Sequence, residues 1–299
     1  MRIKPNKAFS LVELSIVILI IGVLIAAVGQ GIDLLQDARL TAARMISQSS
    51  KVSSISGLVM WIDATSDKAF ITSEIDGDTA SISAWYDVNQ QSISKNNFLQ
   101  PTLTSKPTYK ANVINGLPVV SFDGVNDYMS TEQSDQSSGF FNNGDYTIFF
   151  VTKIGVQNQP TAIMFQYLLW PNLSSYDRNC GLEINTNSLL KIDGGSALVA
   201  TGSGDVTNQN LIISGYRDST NLVSYVNGAS YSSATGTGSP SFSGKFNIGM
   251  YIRGDATGNR YPTKMDVGEV IIYGRALKSK ERKSVEAYLS KKWSVKVAP

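Results

Sequence analysis

Histidine is absent from the 299 residues. That gap excludes Ser-His-Asp and Cys-His nucleophilic catalysis and any zinc site that depends on histidine ligands. Cysteine occurs once, at Cys180, so no disulfide can close within the chain. Charge is sparse: Asp, Glu, Lys and Arg make up 17% of the residues and sum to +2. Such a balance makes no electrostatic case for a nucleic-acid partner. Two basic runs, Lys278 to Lys283 and Lys291-Lys292, read as the solvated face of a helix. No proline falls between Phe9 and Val52, so nothing there interrupts one long helix. Ser, Thr, Asn and Gly are plentiful, with 13 tyrosines, as suits an exported, β-rich surface protein.

Residues Ala8-Phe9-Ser10-Leu11-Val12-Glu13-Leu14 follow a short basic leader (Arg2, Lys4, Lys7) and open an apolar run to Val28. Phe9 to Val28 is long enough to cross a bilayer core, which takes about 20 residues. Glu13 lies inside that run. A carboxylate at the centre of such a helix costs roughly 2.5–3.5 kcal/mol, and somewhat less near its end, so Glu13 calls for a partner that neutralises it. A secretory signal cut after Ala27-Val28-Gly29 is one alternative, although a Glu in its apolar core is unfavourable. A plain anchor oriented by the basic leader is another, and it leaves Glu13 unexplained. A core helix of a soluble protein would need a far larger fold around this all-round apolar run.

This segment resembles the N-terminus of type IV pilins and of the pseudopilins of type II secretion systems. The resemblance implies cleavage of the leader (residues 1–8) between Ala8 and Phe9 by a prepilin peptidase, followed by methylation of the Phe9 amine. It also implies that Glu13 pairs with the Phe9 amine of a neighbouring subunit during assembly, an ammonium that would compensate the buried carboxylate. Ala8 departs from the glycine usual before the cut. The lone Cys180 departs from the C-terminal disulfide of many type IV pilins, although the region after the helix should face an oxidising compartment.

The helix is expected to continue, because Ile32, Leu35, Ala38, Ala42, Met45, Ile46 and Val52 recur at three- and four-residue spacings. Asp33, Asp37, Arg39, Arg44 and Lys51 occupy the other side. A transmembrane and amphipathic pilin helix is therefore assigned to residues 9–54, its second half packing on a globular head. Gly29 and Gly31 flank the join; they either melt the helix locally or are merely tolerated.

From Gly57 the pattern changes to about eleven short strands separated by turn residues. They fall in Leu58–Ile62, Ala84–Val88, Val119–Phe122, Tyr146–Lys153, Ala162–Trp170, Gly181–Asn185, Leu189–Ile192, Leu211–Tyr216, Leu222–Val226, Lys245–Gly249 and Asp266–Tyr273. Asn227-Gly228 is a tight-hairpin signal, and Val285, Tyr288, Leu289 and Trp293 share one face of a helix from about Ser279 to Trp293. Trp61-Ile62-Asp63, Trp85-Tyr86-Asp87, Asn115-Gly116-Leu117-Pro118, Phe122-Asp123-Gly124-Val125-Asn126-Asp127-Tyr128 and Gly268-Glu269-Val270-Ile271-Ile272-Tyr273 together resemble bacterial laminin-G-like, concanavalin A-like domains. The fold class that follows is α+β: a long N-terminal helix, then an antiparallel β-sandwich jelly roll over residues 55–299 with a short C-terminal helix. Phe122, Tyr128 and Ile271 are expected in the core, Gly124 and Gly228 in turns.

Relatives of that fold use a concave face for glycans or protein ligands, and some hydrolyse glycans with alternating carboxylates. Glu74-Ile75-Asp76-Gly77-Asp78 superficially matches such a pattern, but Asp76-Gly77 is a turn signal in Thr/Ser-rich surroundings, so no catalytic residue is assigned and the chain is expected not to be an enzyme. Asp76 and Asp78 are weak candidates for Ca2+, whose oxygen ligands come from such loops; no other cofactor is expected. Trp85, Tyr86, Trp170, Tyr251 and Tyr261 could stack on sugars or fill the core. The expected protein is a pilin-like subunit: an inner-membrane precursor, then part of a homopolymeric or mixed filament, in an extracellular pilus or a periplasmic pseudopilus. Its alternatives are a carbohydrate-binding adhesin on a minor pilin or pseudopilin and, with least support, a surface glycan hydrolase.

Overall fold

A computed structural model describes residues 10–75, 79–132, 144–157, 161–168, 180–185, 187–193, 198–236, 245–252 and 260–299. Helix α1 (Leu11–Gln48) is unbroken through Gly29 and Gly31, so the two glycines are accommodated in the helix. Their Cα positions meet no other atoms that a Cβ would touch. The helix stops four residues before Val52, which begins a short 3-10 turn (Val52–Ser54) instead. Close contacts divide the chain into Met1–Ala42 and Ala43–Pro299. The second unit thus begins inside α1, ahead of the boundary at 55 expected from the sequence.

Its strands are β1 (Leu58–Asp63), β2 (Ala80–Ser81), β3 (Ala84–Trp85), β4 (Phe98–Leu99), β5 (Thr108–Ile114), β6 (Leu117–Asp123) and β7 (Met129–Thr131). Next come β8 (Tyr146–Ile154), β9 (Thr161–Leu168), β10 (Cys180–Asn185), β11 (Leu190–Asp193), β12 (Val199–Thr201) and β13 (Asn210–Arg217). The last are β14 (Asn221–Val226), β15 (Ala229–Thr235), β16 (Lys245–Ile248), β17 (Met250–Ile252), β18 (Arg260–Pro262) and β19 (Lys264–Tyr273), before helix α2 (Ser279–Trp293). Each of the eleven segments expected from the sequence overlaps an observed strand, although Ala84–Val88 contributes only the two residues of β3 and Trp170 lies outside the described residues. Those without an expectation are mostly short; the exceptions are β15, whose Ala-Ser-Tyr-Ser-Ser-Ala-Thr is too polar to show alternation, and the seven-residue β5, which was missed.

The first sheet runs β15-β14-β13-β8-β19-β6-β5-β2 and the second β12-β11-β10-β9-β16-β7-β4-β3. All strand pairings are antiparallel, giving the jelly-roll sandwich. Between the sheets lies the main core, with Trp85, Phe98, Phe122, Tyr146, Phe150 and Phe246 all but fully enclosed. Trp85 stacks on Phe70 at 5.9 Å. Of the residues expected in the core, Phe122 and Ile271 are buried, but Tyr128 is half-exposed and Asp127 before it is buried. Two hairpins turn on Asn-Gly pairs with positive φ at both residues, Asn115-Gly116 (51° and 79°) and Asn227-Gly228 (49° and 75°), the combination a type I′ turn requires.

The first sheet is covered on its other face as well. A second apolar cluster joins Trp61, Val119, Phe149, Ile212 and Ile271 on the sheet to Val285, Tyr288, Leu289 and Trp293 of α2, and to Ala43 from the last turns of α1. Strand β19 is central to this arrangement. Along one edge it pairs with β6 over Lys264–Val267 and then with β1 over Glu269–Tyr273, while its register with β8 shifts between Val267 and Glu269. Gly268 marks that bulge, and the Trp293 ring lies so close that a Cβ at 268 would meet it at 2.4 Å. The aromatic ring occupies space that only glycine leaves open. Gly268→Ala is therefore expected to displace Trp293 and destabilise the head by about 1–3 kcal/mol. A drop in the urea midpoint at unchanged slope tests this.

Candidate functional site

At the N-terminus, α1 begins with a capping box. The Ser10 hydroxyl accepts hydrogen bonds from the backbone N–H of Val12 (3.2 Å) and Glu13 (3.4 Å), and Glu13 Oε2 accepts one from Ser10 N–H at 2.8 Å. The Ser-x-x-Glu spacing is a local signal for this arrangement, and it places the carboxylate at the positive end of the helix dipole. Sequence reasoning found Glu13 through its apolar context and missed the box. Ala8 and Phe9 lie outside the described residues. From Leu11 to Val28 the large apolar side chains are exposed in the isolated chain. Among the described residues α1 is the one helix long and apolar enough to cross a membrane, judged by length and composition.

The densest polar site in the head is buried between β1, β19, α2 and the end of α1. Glu269, 1% exposed, accepts hydrogen bonds at Oε1 from Trp61 Nε1 (2.7 Å) and the Tyr288 hydroxyl (2.6 Å). Its Oε2 accepts from Trp293 Nε1 (2.8 Å) and Lys292 Nζ (2.8 Å). Lys292 Nζ also lies 2.7 Å from Asp63 Oδ1. Asp63 Oδ1 accepts in addition from the N–H (2.9 Å) and hydroxyl (2.8 Å) of Thr65, and Oδ2 from the Ser47 hydroxyl (3.0 Å). The lysine side chain is 0% exposed, so Lys292 does not belong to the solvated helix face that the sequence suggested.

Burial alone would raise the Asp63 carboxyl, but the Lys292 ammonium and the donors from Lys292 and Thr65 outweigh it and hold Asp63 below the usual range. At Glu269 burial prevails over Lys292 and, with the Asp63 charge added, pushes the carboxyl up. The site thus brings one ammonium and two carboxylates together, all three side chains almost wholly enclosed.

Among the described residues, open clefts on the head include two that are rich in charge. One, of about 370 Å³, is lined by Arg44, Trp61, Asp67, Lys68, Asp87 and Lys95 among others. Asp87 is committed to the backbone there, accepting from the N–H groups of Trp61 and Asn89 (each 2.9 Å) and Asn96 (3.0 Å). The other, of about 420 Å³, gathers Lys110, Lys153 and Lys264 with Asp123, Asp127 and Asp266. Its Asp123 Oδ1 accepts from the N–H groups of Val125 (2.7 Å) and Asn126 (3.2 Å), which closes the loop carrying Gly124.

The proposed acidic pattern is only partly described. Asp76, Gly77 and Asp78 lie outside the described residues. Glu74 sits in a 3-10 turn (Thr72–Glu74), accepts hydrogen bonds from the N–H (2.8 Å) and hydroxyl (2.6 Å) of Ser83, and is 3.7 Å from Lys106. Its carboxylate is a loop clasp. Trp85 is core and Tyr86 and Tyr261 are half-buried; Trp170 and the Tyr251 side chain fall outside the described positions.

Residues 3–29 match the family model of the prokaryotic N-terminal methylation motif. No curated protein matches the chain. Among solved structures, Trypanosoma rangeli sialidase bound to a difluorinated keto-deoxy-nononic acid aligns with a TM-score of 0.53 at 18% identity, over 79% of this chain and 33% of the sialidase. The binding domain of botulinum neurotoxin serotype D aligns with a TM-score of 0.52 at 11% identity, over 80% of this chain and 52% of that domain. The chain therefore spans about a third of the sialidase and half of the neurotoxin domain, and at these identities the likeness is one of fold, a β-sandwich. The matched methylation motif runs directly into the apolar start of α1.

Asp127 generates a pH dependence. Burial, reinforced by the Asp123 charge against the hydrogen bond from Asp123 N–H, raises it from 3.8 to about 6. Between those values the folded chain holds a proton that the unfolded chain releases, so this group's contribution to stability is present below about pH 4 and lost as pH rises through about 6. Asp127→Asn should flatten that decline. Urea midpoints measured across the interval check the sign.

Proposed function

We propose that the chain is processed between Ala8 and Phe9 by a prepilin peptidase, methylated on the Phe9 amine, and polymerised through its N-terminal helix into a filament that displays the sandwich. The single observation that carries this reading is the methylation motif over residues 3–29 running directly into an apolar helix that holds Glu13 in its first turn. Among the described residues no cation lies within ion-pair distance of Glu13, whose hydrogen bond comes from the Ser10 N–H. The free Phe9 amine of a neighbouring subunit supplies the missing charge. The mature chain should begin at methylated Phe9, and mass spectrometry of the native N-terminus decides it; a start at Gln30 would overturn the proposal. Glu13→Gln should leave membrane insertion intact and abolish most filaments, since stranding one partner of a buried ion pair costs about 3–5 kcal/mol. Wild-type filament yield from that strain would show that Glu13 has no such partner.

A second reading gives the head an adhesive role. It is supported by the lectin-like sandwich and by the polar clefts, which carry charged and hydrogen-bonding groups at the surface. The ligand would be a glycan or a surface protein, with Ca2+ held by loop carboxylates such as Asp76 and Asp78. Hydrolysis is not part of this reading, since Glu74, the described carboxylate of the acidic pattern, is engaged with Ser83. On a glycan array, chelator-sensitive signal is expected for a calcium-assisted lectin. No signal under either condition would leave the head as a structural element of the filament, and sugar release lost in Glu74→Gln would make it a hydrolase.

A further inference from the structure

We propose that the side chains of Asp63 and Lys292 condense to an amide bond, stapling the first strand of the head to its C-terminal helix. The reacting groups are already in place, with Lys292 Nζ 2.7 Å from Asp63 Oδ1 and both side chains at most 2% exposed. Holding nucleophile and electrophile in contact removes the entropic part of the barrier. Exclusion of water removes the competitor that ordinarily favours the separate ions, and converts a costly buried ion pair into a neutral group.

The step balances without any added reagent. Nζ bonds to Asp63 Cγ and gives up two of its three protons; the Cγ–Oδ2 bond breaks, and Oδ2 leaves with both protons as water. Glu269 Oε2, 2.8 Å from Nζ, is the base that receives a proton from the amine. Its other oxygen is 2.6 Å from the Tyr288 hydroxyl, which is 3.1 Å from the Ser47 hydroxyl, itself 3.0 Å from the departing Asp63 Oδ2. That hydrogen-bonded chain carries protons from the amine side of the carboxyl to its leaving side. Thr65 places its N–H and its hydroxyl on Oδ1, where negative charge develops as Nζ adds to the carbon. Trp61 and Trp293 fix Glu269 through their indole N–H groups, so the base cannot turn away from the lysine.

Glu269 is the catalytic residue of this reaction, and Tyr288 and Ser47 relay its proton. The link joins Asp63 at the end of β1 to the last turn of α2, which encloses nearly all of the head in one covalent loop. In a chain with a single cysteine, it supplies the closure that a disulfide cannot.

The test is a mass measurement on the full mature chain, purified from membranes or sheared filaments, denatured, reduced and digested with trypsin. The expected product is one branched peptide containing Asp63 and Lys292, lighter than its two parts by one water, with no cleavage after Lys292. Separate Asp63 and Lys292 peptides as the dominant species would overturn the proposal, and because this readout is taken on the unaltered chain it does not depend on a variant folding. Glu269→Gln keeps the size of the side chain but cannot take up the proton. It should yield the unlinked peptides while Asp63 and Lys292 are both still present. Linkage in that variant to the wild-type extent would remove Glu269 from the mechanism.

Discussion

Glu269 occupies the centre of the first sheet, where a carboxylate without partners would be prohibitively costly. Four donors meet it: two indole N–H groups, a phenol and an ammonium. They arrive from β1 and from α2, while Ser47 at the end of α1 reaches the same network through Tyr288 and Asp63. Because each of these groups needs the others, the strand and the helices can take only one mutual arrangement. A buried polar network of this kind has high stakes: fully satisfied it specifies a unique packing, and partly satisfied it destabilises one. The rest of the head is arranged around that requirement.

The consequence is a sheet buried on both faces. One face packs on the second sheet through the aromatic core, and the other receives α2 and the last turns of α1. Helix α2 docks through charge as well as apolar surface. Its Arg282 lies 3.6 Å over the Tyr225 ring and pairs with Glu286, which in turn accepts from the Ser214 hydroxyl on β13. Pairing each buried charge, rather than excluding charge, is how this interface meets the desolvation cost. Gly268 completes the fit by letting the Trp293 ring approach the backbone of β19.

Glu13 and Glu269 pose the same physical problem and meet it differently. Under the proposed assembly, each is a carboxylate placed where water is scarce. Glu269 is neutralised within its own chain by Lys292. Glu13 has the N–H of Ser10 and the helix dipole, which compensate only part of a full charge in a membrane or a filament core. A structure of one chain therefore satisfies the head internally and leaves the N-terminal helix asking for a neighbour.

Much of this was legible from the residues themselves. The basic leader, the apolar run and the Glu13 spacing depend on nothing distant in sequence, and they define the N-terminal segment. Hydrophobic alternation located eleven strand segments, and Asn227-Gly228 its hairpin, because both signals are local. The short strands, β5 and β15, the half-exposed Tyr128 and the end of α1 at Gln48 were not legible, since neighbours from other elements decide them. Lys292 shows the limit most clearly. Beside Lys291 on a basic helix it reads as solvated, and only the arrival of Asp63 and Glu269 from strands more than two hundred and about twenty residues away makes burial the favourable choice for an ammonium. Local periodicity determined which segments would be helix and strand; the long-range pairing of charges, which no local pattern encodes, decided how they close on one another.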